Sequence, residues 1–169
     1  MTAVHVRPAT TADFPEIARL TVAAYREDGQ LAGDHGYDKK LADVETRAEA
    51  GVLLVATDAA TGDVLGSVTF VLPGSDYAEI SGPGEAEFRM LAVAPSAQGR
   101  GAGEALARAC VARAAELGCT AVVICVRDFA EPAKRLYARL GFARIPERDW
   151  SPYPGVNLQA LRLPLTATN

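Results

Sequence analysis

The run from Val93 to Glu104, Val-Ala-Pro-Ser-Ala-Gln-Gly-Arg-Gly-Ala-Gly-Glu, holds the residue types best suited to chemistry in this chain. Gly99, Gly101 and Gly103 alternate, which lets a backbone approach a ligand closely and turn its N–H groups inward. The helix-forming stretch from Glu104 to Cys110 follows at once. A helix start adds unpaired donors and the positive end of its dipole. Together these features hold an anionic phosphate group. An ordinary strand-to-helix turn would carry the same glycines. The run lacks the lysine and Ser/Thr of a Walker A loop, and its third glycine comes one residue too early for the dinucleotide fingerprint.

Groups suited to proton transfer flank the run. Glu85, Glu87 and Arg89 alternate before it, so a strand would put all three on one face. Tyr137 lies beyond it. A phenol of pKa about 10 is protonated at neutral pH and can donate to a forming anion. Each residue also has a structural reading. Tyr137 falls on an apolar helix face, and Glu87 can pair with a neighbouring charge.

The elements that must position these groups follow from periodicity. Val4 to Arg7 reads as a strand. Thr10-x-x-Asp13 resembles a capping box before a helix with Phe14, Ile17, Leu20 and Ala24 on one face. A loop through Gly33 and Gly36 leads to a polar helix from Asp38 to Ala50. Val52 to Thr57 and Val64 to Leu72 read as a hairpin turned at Thr61-Gly62-Asp63. Ala86 to Val93 is the strand entering the glycine run. A helix from Gly101 to Leu117, capped at Gly118, leads to the apolar strand Ala121 to Val126. Pro132 suits the first turn of a helix from Glu131 to Leu140, which Gly141-Phe142 closes in the manner of a Schellman cap. Strands at Phe142 to Ile145 and Val156 to Leu163 flank a loop from Pro146 to Gly155. The result is an α/β (α+β) chain with a mixed sheet of about seven strands and flanking helices, read as one domain over 1–169.

Val-x-Pro-x-x-Gln-Gly-Arg-Gly-x-Gly resembles the acyl-CoA-binding motif of the GNAT N-acetyltransferase superfamily. Ala133-Lys-Arg-Leu136-Tyr137-Ala-Arg-Leu140-Gly141-Phe142 resembles a second motif of that family. The two occur in the family's order, separated by one helix and one strand. Element order extends the likeness over nearly the whole chain. Many members carry an asparagine seven residues before the tyrosine, where this chain has Ala130.

The resemblance implies an acetyl-CoA-dependent N-acetyltransferase in which amine attacks thioester directly in a ternary complex. It puts the coenzyme A pyrophosphate on the backbone of Gln98, Gly99, Arg100, Gly101, Ala102, Gly103 and Glu104. It puts pantetheine beside Leu91, Ala92 and Val93, with the Leu91 amide polarising the thioester carbonyl. Tyr137 becomes the candidate acid for the departing thiolate and Glu87 the candidate general base. An acceptor site would be framed by 25–37, 85–89 and 148–153. Tyr25, Arg89, Trp150 and Tyr153 are its candidate lining, and Asp28, Asp34, Glu85 and Glu87 would favour a cationic amine. The acceptor is read as a small molecule. A protein N-terminus or lysine is the rival within the fold, and a non-catalytic acyl-CoA sensor the rival outside enzymes. Homodimers are common in the family, so a dimer is expected.

Composition bounds the rest. The 169 residues are 49% apolar and 22% charged, with net charge −4 and pI near 5.2. No basic stripe points to nucleic acid, and no apolar run is long enough for a bilayer. Without a signal-peptide pattern, a cytoplasmic location is the expectation. Cys110, Cys119 and Cys125 form no Cys-x-x-Cys pair and read as small buried hydrophobes. His5 and His35 have no metal-like spacing, so no metal is expected.

Overall fold

A computed structural model of the chain describes residues 3–32 and 36–166. Contacts divide it into two compact units, Met1–Phe70 with Met90–Ala109, and Val71–Arg89 with Cys110–Asn169. Among the described residues there are eight strands and five α-helices, and the class is α+β. No helix among them is long and apolar enough to cross a membrane.

In the first unit, β1 (Val4–Pro8) pairs antiparallel with β2 (Val52–Asp58), from Val4 opposite Asp58 to Pro8 opposite Leu54. Strand β2 pairs antiparallel with β3 (Val64–Val71). A 3-10 turn at Thr11–Asp13 precedes α1 (Phe14–Glu27). The Thr10 N–H donates to the Asp13 carboxylate at 2.8 Å, as the capping pattern requires, and Arg7 Nη1 donates to the same oxygen at 2.8 Å. That pair ties the end of β1 to the start of α1.

The expected polar helix from Asp38 to Ala50 is broken into α2 (Tyr37–Ala42) and α3 (Val44–Ala50). The break falls at Asp43, whose carboxylate accepts from the Thr46 N–H and hydroxyl and so starts a new helix. Ile17 of α1, Val44 of α3, and Leu53 and Val55 of β2 form a core. Each such side chain contributes about 1.5–3 kcal/mol relative to exposure.

Alternation along β3 sets Ser67 and Thr69 on the opposite face from Val68 and Phe70, which would leave a polar face toward water. Leu65 through Val71 are all buried instead, Ser67 and Thr69 included. Both faces of this strand are covered, so small polar residues sit inside.

Strand β4 (Glu85–Val93) crosses from the second unit to the first at Arg89–Met90. In the second unit it runs parallel to β5 (Ala121–Arg127) over Glu85–Glu87. Strand β5 pairs antiparallel with β8 (Val156–Pro164), so the sheet is mixed. Strand β6 (Ala143–Arg144) and an eighth strand, β7 (Trp150–Tyr153), also pair with β8. The four residues of β7 fall in the stretch expected to be loop. Two prolines nearby hide a strand this short from pattern reading.

Helix α4 (Ala102–Glu116) follows the glycine run. Helix α5 (Glu131–Arg139) ends as expected. The Phe142 N–H donates to the Tyr137 carbonyl and the Gly141 N–H to the Ala138 carbonyl, with Gly141 at φ 99°. That left-handed turn aims Phe142 back over its own helix.

Candidate active site

The glycine run lies wholly in the first unit. A 3-10 turn at Pro95–Ala97 follows β4, and the Ala94 N–H donates to the Leu65 carbonyl at 2.8 Å. Gly99 and Gly101 have φ of 82° and 83°, a conformation that side chains with a Cβ rarely adopt. A Cβ built at either would meet no atom within 4 Å, so the turn faces open space. Gly103 differs, because it already lies in the first turn of α4. Two glycines therefore shape the loop and the third serves the helix. The N-terminal donors of α4 begin at once behind them.

Arg100 is anchored. Its Nη2 lies 2.6 Å from Oδ2 of Asp58, whose other oxygen accepts from the Ala60 and Thr61 N–H groups. The Arg100 hydrogen bond, then that of Ala60, hold the Asp58 carboxyl below its ordinary range. Asp58 ends β2, and nothing in its local sequence marks it as a partner of the glycine run. Glu104 pairs with Arg108 one helical turn on, at 3.6 Å.

Leu91 and Val93 are half-buried and Ala92 is buried. Immediately before them Met90 has φ 56°, although it carries a side chain. A left-handed non-glycine residue inside a strand is uncommon and costs about 1–3 kcal/mol. No glycine or asparagine signals it in the sequence. Gly66 of β3 lies so close that a Cβ there would stand 2.7 Å from the Ala92 carbonyl oxygen. At the far end of α1, Tyr25 stacks on Tyr37 with ring centroids 6.0 Å apart. Asp28 is exposed at the end of that helix. Asp34 and His35 lie outside the described residues.

The second unit carries the proton-transfer candidates. Tyr137 is buried among Phe88 and Phe142, edge-on to both, at centroid distances of 6.0 and 5.8 Å. Burial pushes its phenol well above the ordinary range, so it stays protonated. No hydrogen bond to its hydroxyl forms among the described residues.

Glu87 is fully buried. Its carboxylate accepts from the N–H groups of Glu79, Ile80 and Ser81 at 3.1–3.2 Å. Arg89 turns to the same loop, with Nε 2.9 Å from the Glu79 carboxylate and Nη1 3.1 Å from the Tyr77 carbonyl. Glu85 sits apart from them, its oxygens bound to Arg148 at 2.7 Å and Arg162 at 2.9 Å. Burial pushes this carboxyl up, but Arg148, the Gly82 N–H and Arg162 outweigh it and hold it down at about 2. Glu85 and Glu87 are both buried, at 4% and 0% exposed. Glu79 escaped sequence reading, because nothing in a loop of Pro, Gly and Ser marks it.

Trp150 and Tyr153 stand on β7, 39% and 46% exposed. Cys125 lies near Trp150 and is half-buried, as is Cys119, so only Cys110 meets the expectation of full burial. Burial pushes the Cys125 thiol up to about 12, Glu79 adds to the rise, and a hydrogen bond from Trp150 opposes it.

Comparisons with known proteins agree with one another. The profile of the Acetyltransferase (GNAT) family matches residues 14–142. A GCN5-related N-acetyltransferase from Kribbella flavida is 30% identical, covering 96% of this chain and 98% of its own, with TM-score 0.69. A structure described as histone acetyltransferase HPA2 and related acetyltransferase, from Corynebacterium glutamicum, is 28% identical over 98% of both chains, with TM-score 0.73. A GNAT family acetyltransferase from Brucella melitensis, in complex with acetyl-CoA, is 25% identical over 95% of this chain and 88% of its own, with TM-score 0.62. No curated protein matches the chain.

Proposed function

Because the chain belongs to the GNAT family of acetyltransferases, we propose that it transfers the acetyl group of acetyl-CoA to a primary amine of a small molecule. The observation that carries this reading is the pair of left-handed glycines, Gly99 and Gly101, facing open space and running straight into α4. Phosphate oxygens suit such a turn, because its N–H groups need an anion and no Cβ stands in the way.

The chemistry divides among the residues as follows. Backbone N–H groups of Gln98 to Glu104 take the pyrophosphate. Leu91 to Val93 meet pantetheine, and the Leu91 N–H stabilises the oxyanion as amine nitrogen bonds to the thioester carbon. The left-handed Met90, which redirects β4 just before Leu91, supports that assignment. As the carbon–sulfur bond breaks, the Tyr137 hydroxyl gives its proton to the thiolate, and the proton shed by the amine nitrogen passes to solvent and from there restores the phenol. The raised phenol pKa keeps that proton available. Arg89, Trp150, Tyr153 and Tyr25 belong to the acceptor side. A homodimer is the assembly we carry with this reading, and its mass by light scattering tests it.

Thermal unfolding with acetyl-CoA, CoA, ATP or NAD tests the cofactor. A ligand at about a hundredfold its Kd stabilises by about 2.7 kcal/mol, which raises the midpoint by roughly 5–10 °C. Acetyl-CoA and CoA are expected to give that shift, and ATP and NAD none. No shift with either CoA species sinks the reading.

A further inference from the structure

In the first unit, a groove between α1 and α3 takes no part in the proposed chemistry. It is open and encloses about 650 Å³. Phe14 and Ala18 of α1 line one wall and Val44 and Ala48 of α3 the other, each pair one helical turn apart. Phe14, Ala18 and Ala48 are half-buried against the core of Ile17, Val44, Leu53 and Val55, so the floor is continuous with the core. Pro15 and Ala42 carry the apolar surface out to the exposed edge. The short side chains of Ala18, Ala42 and Ala48 are what leave the trough open.

The rim is acidic. Asp43, Glu45 and Glu49 line it, and no lysine or arginine does. Arg47, the cation of α3, is fully buried and turned inward, with Nη2 donating to the Leu41 carbonyl at 2.9 Å. Local structure accounts for Asp43 and Glu45. Asp43 caps α3 through Thr46, and Glu45 sits in the first turn, where the helix dipole favours negative charge. Glu49 has no such reason. It lies in the last turn, against the dipole, and one turn from Glu45, where like charges repel. Glu45 and Glu49 are both exposed, and neither meets a hydrogen bond or ion pair among the described residues.

Charge complementarity selects the occupant. This rim repels the phosphates of nucleic acid and of anionic lipid headgroups. Cations that flank apolar side chains suit rim and floor together. An apolar groove takes an amphipathic helix with its apolar side chains inward. We infer that this groove is a docking site for a basic amphipathic helix of a partner protein. Its apolar side chains pack on Phe14, Ala18 and Ala48, and its lysine or arginine side chains meet Glu45 and Glu49. The inference does not depend on acetyl transfer.

The test is fluorescence anisotropy of the full chain with a labelled amphipathic helix of Lys, Leu and Ala, about four turns long, beside its Glu-for-Lys counterpart. The basic helix should bind and the acidic one should not. Glu45→Lys with Glu49→Lys should weaken binding by about tenfold or more, because two attractions become repulsions. Ala42→Trp should weaken it comparably by filling the groove from an exposed position, with every charge kept. Circular dichroism establishes which variants are folded. The two act by different means, so either one alone tests the inference.

A basic helix that does not bind overturns the inference. Equal affinity in the native and Ala42→Trp chains also overturns it, by reducing the rim to non-specific charge. Spermidine binding as tightly as the helix would make the groove a polyamine site instead. Light scattering covers the remaining occupant. An oligomeric state unmoved by the Glu45→Lys, Glu49→Lys pair supports the inference. A native oligomer that this pair splits would put a second copy in the groove and overturn it.

Discussion

Asp58, at the end of β2, holds Arg100 of the glycine loop through a 2.6 Å contact across 42 residues of sequence. The arginine that gives the loop motif its charge is thereby fixed in place. Asp58→Asn should free the loop and weaken CoA binding by roughly two- to fivefold, the scale of a partly exposed ion pair. Titration of CoA at low and high salt checks this. The native advantage should shrink as salt rises. Equal affinity in the two proteins at low salt would show that the pair does not order the loop.

Gly66 offers a backbone test of the segment assigned to pantetheine. An alanine there would bring its Cβ to 2.7 Å from the Ala92 carbonyl oxygen, and a backbone atom cannot rotate away. Gly66→Ala should cost about 1–3 kcal/mol of stability, as overpacking does. It should also weaken acetyl-CoA binding more than Asp58→Asn does. Calorimetric titration with acetyl-CoA, on a variant verified as folded, gives the answer. A destabilised variant with native affinity would separate Ala92 from the cofactor.

Tyr137→Phe should lower kcat by about a hundredfold or more, the usual contribution of a positioned acid. Acetyl-CoA affinity should stay near native, because the ring contacts with Phe88 and Phe142 survive. Since burial raises the phenol, its ionisation should put no limb on the native profile below pH 10. Unchanged turnover in the variant removes Tyr137 from the mechanism.

Glu85 makes a prediction about acid. Its folded-state pKa, about 2, lies below the ordinary 4.5. The stability it supplies is therefore complete above 4.5 and drains away as pH falls toward 2. That shift corresponds to about 3 kcal/mol. Asp13, lowered to about 2 by the Arg7 hydrogen bond, works in the same direction. Urea unfolding at pH 7, 4 and 3 should show the native chain losing stability along this path. Glu85→Gln should start up to about 3 kcal/mol lower at pH 7 and fall less steeply. Parallel losses in both proteins would count against the network with Arg148 and Arg162.

The outline of the fold was readable because its signals are local. Thr10 and Asp13 start the first helix, Gly141 ends the fifth, and the continuous apolar run at Ala121 to Val126 marks a strand covered on both faces. The failures share a cause. The break at Asp43 depends on a side chain choosing to cap a new helix, and the polar residues within β3 depend on what covers its second face. Strand β7 exists because β8 offers it a partner. None of these choices is made within a short window of sequence.

The same division runs through the candidate site. By itself the sequence determined the family motifs, the glycine turn ahead of α4 and the phenol in the second motif. Spacing and residue type are enough for these, since a left-handed glycine and the first turn of a helix are made by neighbours in the chain. Tertiary structure alone decided that Arg100 answers to Asp58, that Met90 turns left-handed and that Glu87 faces backbone N–H groups. Such partners are brought together by folding over long sequence separations, and burial decides which charges remain in contact with water.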